Sequence, residues 1–301
     1  MKRRKLLGLS AIGGLGLALG GHSYLSSQYP LRYKICPRFN NRSSTPLFNF
    51  VIAGDVGTGD NRQYAVAKTM SCYFAANPFP LVLLLGDNIY EYGEMEKIEA
   101  TFEIPYQVLL QQEVKFYAAL GNHDTDNVNR GEKQISYPGF NMGGRYYTFT
   151  RGNVQFFAID TNPEAPWQEQ LDWLEAQLQQ NEKPWKVVFG HHPLYSSGSH
   201  GSSHELIDKL SPLFARYGVQ LYLNGHDHNY ERTKSINGTT YVTSGNGAKL
   251  RDVGESEWTA HSVSRLGFAV VEVYSDRLEI LGVGTNGEIF DRGTISQSLS
   301  S

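Results

Sequence analysis

Five short stretches of the 301-residue chain end alike, and each ending offers groups that bind metal ions. Residues 48–53 (FNFVIA) run into Gly54 and Asp55, and residues 81–85 (LVLLL) into Gly86 and Asp87. Residues 115–120 (KFYAAL) run into Gly121, Asn122 and His123, and residues 186–189 (KVVF) into Gly190 and His191. Residues 220–224 (QLYLN) run into Gly225, His226, Asp227 and His228. Carboxylates, amide oxygens and imidazoles are the donors that hold hard and borderline metal ions. One Gly-Asp after an apolar run is ordinary turn chemistry, and one Gly-His-Asp-His is only more informative by degree. Five such endings in a single chain exceed what chance placement supplies.

Each run is short and nearly continuously apolar, the pattern of a strand buried on both faces. The glycine that stops it permits a sharp turn and a close approach of backbone. Helical spacing fills the intervals at residues 62–74, 95–110 and 167–180, the last with Leu171, Leu174 and Leu178 on one face. Strand alternating with helix predicts an α/β fold with a mostly parallel central sheet. In such sheets functional groups gather at the carboxyl ends of the strands, so all five endings are expected along one edge. If the last strand keeps its direction, His226 and His228 face one point while Asp227 looks away.

Composition narrows the function. Hydrophobic residues make up 40% of the chain and charged residues 19%, which suits a globular protein with a sizeable core. The formal net charge is −3, with no basic stripe of the kind that binds nucleic acid by charge. Residues 1–21 read as an export signal: Lys2 to Lys5 are basic, residues 6–19 are apolar, and Ala18-Leu19-Gly20 ends the segment. The adjacent Arg3 and Arg4 point to the twin-arginine route. An uncleaved leader serving as a membrane anchor is the alternative, although the stretch is short for a span of about 20 residues. Losing the four basic residues takes the charge from −3 to −7 and leaves a mildly acidic protein. The expected location is periplasmic or extracellular, without stable membrane association unless the leader is retained. Residues 22–46 read as a linker or arm, 47–295 as one catalytic domain and 296–301 as a tail. Cys36 and Cys72 lack the paired spacing of zinc or iron–sulfur sites; export permits a disulfide without requiring one.

With these residues in view, the chain resembles the metallophosphoesterases. GDVG (Asp55), GDNIY (Asp87, Tyr90), GNHD (Asn122, His123), VVFGH (His191) and GHDHNYER (His226, His228) match the five motifs of that superfamily. Gly57 stands where many members place a histidine, and Tyr90 stands three residues after the second aspartate. That pairing is similar to the purple acid phosphatases. HHPLYSSGSHG, with His200 nine residues after His191, is similar to their small, tartrate-resistant type, and residues 160–167 leave little room for the long loop of some animal members. The resemblance extends over nearly all of the chain after Leu47. It implies a four-layer αββα sandwich with two central mixed β-sheets and a metal site at the carboxyl ends of the strands. It implies one metal held by Asp55, Tyr90 and His228, another by Asn122, His191 and His226, and Asp87 bridging the two. His123 and His200 are implied to contact phosphoryl oxygens and help protonate the leaving group.

Donor chemistry agrees with that division. A carboxylate, a phenolate and the shared carboxylate favour Fe3+; an amide oxygen and two imidazoles suit Fe2+, Zn2+ or Mn2+. Two metals roughly 3.5–4 Å apart clamp a phosphate and acidify water for in-line attack, even in acid. The expected activity is hydrolysis of small phosphate monoesters at acidic pH. A phosphodiesterase or nucleotide hydrolase with the same centre is the near alternative, and a non-hydrolytic iron-binding or redox protein the distant one. Smaller expectations attach to Asp124 (orienting His123 or a ligand, or capping a turn), Asp227 (supporting a neighbour), His204 (solvated or supporting), residues 230–232 (locking the last loop) and 243–247 (near the metals, or a tight turn).

Overall fold

The computed structural model describes residues 36–39, 44–127 and 129–297. The leader at 1–21 and most of the arm at 22–46 lie outside them. Both cysteines are disulfide-bonded.

Thirteen strands are described: β1 (Phe48–Ala53), β2 (Leu81–Leu85), β3 (Lys115–Ala119), β4 (Tyr147–Arg151), β5 (Val154–Ala158), β6 (Trp185–Phe189), β7 (Leu221–Asn224), β8 (Tyr230–Thr233), β9 (Thr240–Ser244), β10 (Thr259–Val263), β11 (Gly267–Val273), β12 (Arg277–Gly284) and β13 (Ile289–Ser296). They form two mixed sheets, ordered β13-β12-β11-β1-β2-β3 and β10-β8-β9-β7-β6-β5-β4. A single mostly parallel sheet, expected from the strand–helix alternation, is therefore not what forms. The parallel strands divide into β1-β2-β3 in one sheet and β5-β6-β7-β9 in the other. Antiparallel strands complete each sheet, with β11 against β1 and β8 against β9.

The continuous apolar runs follow from this arrangement. Every central strand is covered on one face by the other sheet and on the opposite face by helix. Phe50 and Ile52 of β1 join Phe156, Val187, Phe189, Leu221 and Leu223 in the core between the sheets. Their neighbours Val51 and Ala53 turn outward to Val66, Ala67 and Met70 of helix α1 (Asn61–Ala76). On the far side, Phe157, Val188 and Tyr222 pack with Leu174 and Leu178 of α2 (Trp167–Gln180) and Leu206, Leu210 and Phe214 of α3 (His204–Tyr217). The result is the four-layer αββα sandwich. Burial of each such side chain stabilises the fold by roughly 1.5–3 kcal/mol.

Helix α1 starts where Asp60 accepts bonds from the amides of Arg62 and Gln63 at 2.9 and 3.2 Å. The continuous helix expected over 95–110 is instead broken into a 3-10 turn at Met95–Lys97, a π turn at Glu99–Glu103 and a short α-helix at Gln107–Gln111. Pro105 has no N–H to donate and its ring crowds the preceding turn, so an unbroken ladder through that position is disfavoured.

Candidate metal centre

The carboxyl ends of β1, β2 and β3 in one sheet meet those of β6 and β7 in the other. Their glycines make the meeting possible: a methyl group on Gly225 would stand 2.4 Å from Asp55 Oδ2. Asp55, Asp87 and His226 have φ angles of 58°, 54° and 69°, left-handed backbone that is costly outside glycine and that clusters at functional sites. The strand direction does not persist past Asn224, so the expected alternation of His226, Asp227 and His228 gives way to a turn. The outcome is nonetheless a divergence: the two histidines enter different donor groups.

In the first group, Asp55 Oδ1 accepts from Tyr90 Oη at 3.1 Å and lies 3.3 Å from His228 Nε2, which is 3.4 Å from Tyr90 Oη. Asp55, Asp87 and His228 present their donor atoms within 4.8 Å of one another. In the second, Asn122 Oδ1 stands 3.1 Å from both His191 Nε2 and His226 Nδ1, themselves 3.2 Å apart. Asp87 Oδ1 lies 3.5 Å from His191 Nε2, which places this carboxylate beside both groups. All seven residues named from sequence as metal-binding are thus brought together in the two sets expected.

A pair of cations fits this donor set. The second nitrogen of His191, Nδ1, faces the Leu85 carbonyl at 2.8 Å, so that bond directs Nε2 into the site. The electrostatics show the same need for positive charge. Burial, opposed by His191 and reinforced by Asp87, pushes Asp55 up to about 8. Burial would lower His191, yet Asp87 and Asp55 outweigh it and raise it. Burial lowers His228 to about 4, helped by Arg251 and Lys249, and lowers His226 further, with the surrounding histidines adding to the effect. Burial and then Asp55 and Asp87 drive the Tyr90 phenol far above its ordinary value.

Asp124 is fully buried and accepts from the amides of Asn88, Ile89 and Gly121 at 3.0, 3.1 and 2.8 Å. It therefore holds the Asp87 and Asn122 loops together instead of orienting His123. Gly57 cannot carry a side chain, because a Cβ there would stand 2.3 Å from the Asn88 backbone, and its carbonyl accepts from Tyr90 N at 2.9 Å. The Tyr90 loop occupies the space a histidine would need.

His123 is held at Nδ1 by the Glu91 carbonyl at 2.7 Å, with its ring 4.6 Å from that of Tyr90. His200 stacks 4.1 Å from His226. Its Nδ1 and backbone N lie 2.9 and 3.1 Å from Asp227 Oδ1, and Arg251 Nη1 is 2.6 Å from its Nε2. An arginine can only donate, so Nε2 accepts and the ring proton sits on Nδ1, facing Asp227. Asp227 is thus the buried support of His200. His204 is exposed at the start of α3. Tyr230 and Arg232 both bond Asp291, Glu231 receives Ser197, and Gly245 backs onto Asp55, so these residues frame the site.

His192, Lys249 and Arg251 are not anticipated from sequence. His192 lies with His191 and His226 in a group of donor atoms within 4.8 Å, bonds Thr161 Oγ1 at 2.9 Å, and is lowered to about 3 by burial and then by His191. The doubled histidine of FGHHP was its visible hint; AKLR at 248–251 reads as any charged loop. His192, His200 and His226 open on a cavity of about 310 Å3 that is also lined by Trp167 and Pro163.

Residues 48–230 match the family model described as Calcineurin-like phosphoesterase. Human tartrate-resistant acid phosphatase type 5 is 30% identical over 293 residues, covering 81% of this chain and 90% of that protein. Among solved structures, GAP50, described as the anchor in the inner membrane complex of Plasmodium, superposes with a TM-score of 0.73 at 23% identity, over 83% of this chain and 89% of that one. Purple acid phosphatase PPD1 from yellow lupin seeds gives 0.72 at 21%, over 87% and 56%. At those identities both likenesses are of fold. Sandwich, donor groups and relatives together define a metal-dependent hydrolase of phosphate esters. The chain belongs to the calcineurin-like phosphoesterases, in the purple acid phosphatase branch of tartrate-resistant type.

Proposed function

We propose that the chain hydrolyses phosphate monoesters in acid, at a centre of one Fe3+ and one divalent ion (Fe2+, Zn2+ or Mn2+). The observation that carries this is the separation of donors. Tyr90 Oη stands with Asp55 and His228, while Asn122 Oδ1 stands with His191 and His226. Anionic oxygens favour the trivalent ion and the neutral set the divalent one. The acid phosphatase names of the relatives support the acidic optimum.

When bound, the two ions supply Lewis acidity toward phosphoryl oxygens and acidify water. The chain supplies position and protons. His123, pinned through Nδ1, keeps its Nε2 for a substrate oxygen; protonated there, it acts as general acid. His200 can do the same only after Arg251 leaves its Nε2. Work outside the cytoplasm is supported by the twin-arginine leader and by the disulfide-bonded cysteines.

The decisive experiment is a visible spectrum of the oxidised protein with iron quantified in the same sample. A purple tyrosinate–Fe3+ band that vanishes in Tyr90→Phe, with metal retained and an aryl phosphate hydrolysed by the wild type, is the expected result. A colourless protein with both metals bound overturns the ferric assignment.

A further inference from the structure

The loop after β9 brings two cations to the mouth of the centre. Lys249 Nζ sits 3.4 Å from the centroid of the Tyr90 ring and 3.7 Å from Glu91 Oε1, above the oxygen-rich donor group. The Arg251 amide donates to the His228 carbonyl at 2.8 Å, which ties the loop to that donor group. Its guanidinium reaches across to His200, whose ring covers His226 of the other group. Arg145, Arg232 and Arg265 each pair with a carboxylate. Among the described residues Arg251 pairs with none and meets only the His200 ring, so most of its five N–H donors remain for a ligand. The residue is exposed, and nothing in the monoester scheme uses its charge.

We propose that Lys249 and Arg251 bind a second phosphoryl group carried on the departing side of the scissile bond, so that the favoured substrates are phosphoanhydrides of the pyrophosphate and nucleoside diphosphate class. The inference rests on the phosphoesterase reading above and adds to it the identity of the leaving group. His200 lies where a departing oxygen is to be protonated, and Arg251 lies directly beyond it. Water adds at the near phosphorus and loses a proton to solvent. The P–O bond to the bridging oxygen breaks, its electron pair stays on that oxygen, and the leaving group departs as a phosphate anion. That anion needs no proton from His200. It needs positive charge, which a planar guanidinium supplies in bidentate form and an ammonium supplies as a point charge. An alcohol leaving group gives these two cations nothing to hold.

The test uses the full metal-loaded chain and the double variant Lys249→Ala, Arg251→Ala, with metal content and thermal midpoint measured on each. The ratio of kcat/KM for pyrophosphate to that for p-nitrophenyl phosphate is expected to fall at least tenfold in the variant. Calorimetric affinity for methylenediphosphonate, which cannot be hydrolysed, is expected to fall at least tenfold relative to that for inorganic phosphate. Equal losses for both substrates would make Arg251 a support for His200 only and would overturn the proposal, as would unchanged ratios. If the wild type hydrolyses neither substrate, the monoesterase reading fails and the calorimetric ratio alone decides this one.

Discussion

The two sheets bring unlike chemistry to their shared edge. From β1, β2 and β3 come Asp55, Asp87, Tyr90 and Asn122, all oxygen donors; from β6 and β7 come His191, His226 and His228, all nitrogen donors. Each donor group draws on both sheets, so neither sheet can form a site alone. Burial acts on the two contributions in opposite directions, as desolvation must: it raises Asp55 to about 8 and lowers His228 to about 4. The oxygen side asks for positive charge, and the nitrogen side refuses to take it as protons. Metal ions answer both demands, and in the proposed centre they also cross-link the sheets. A second cross-sheet tie is permanent. Asp291 of β13 accepts from Tyr230 Oη at 2.7 Å and from Arg232 Nε and Nη2 at 2.7 and 2.9 Å, both partners lying on β8.

The sharpest way to break this comparison is to remove the residue common to both donor groups. Asp87→Ala is expected to lower bound metal from two ions per chain and to cut phosphate-ester hydrolysis by roughly 10³-fold or more, the scale of losing a preorganised charge-stabilising group. Metal analysis beside the rate decides it; two retained ions would show that Asp87 does not join the sites. Next is the permanent tie. Arg232→Ala leaves Asp291 buried and unpaired, and a loss of about 3–5 kcal/mol in denaturant unfolding is expected, with metal content unchanged. Burial alone would raise Asp291, but Arg232 and Tyr230 hold it below the usual carboxylate range. Its contribution is therefore present above pH 3.8 and lost as pH falls through its depressed value.

The smallest effect concerns the metal-free protein. His192 and His228 have folded values of about 3 and 4, below their ordinary 6.5, so under pH 6.5 the unfolded chain binds more protons and acid weakens the fold. Asp55 runs the other way: raised to about 8, its stabilising proton is present at low pH and lost as pH rises through 8. Through these groups, chelated protein is expected to be most stable near pH 6.5 and weaker on both sides, as read from thermal midpoints across pH. Asp55→Asn should flatten the alkaline side alone. A chelated profile identical to that of the loaded protein would mean that these groups do not face the metals.

Much of this was legible in the residues. The five strand ends fall within a residue of their expected positions, and helix α2 matches residues 167–180. Those features depend on local patterns, apolar runs stopped by glycine and leucines at helical spacing, which survive whatever the chain later packs against. The break at 95–110 was partly visible in Pro105, and His192 in the doubled histidine.

The sequence by itself settled which groups could bind metal and that they lie at strand ends. Tertiary structure alone decided that those ends belong to two sheets facing one another and that Asp87 reaches both donor groups. It also brought Arg251, 51 residues along the chain from His200, against that ring. Distances between donors are set by the packing of one sheet on the other, a long-range arrangement written in no single stretch of chain.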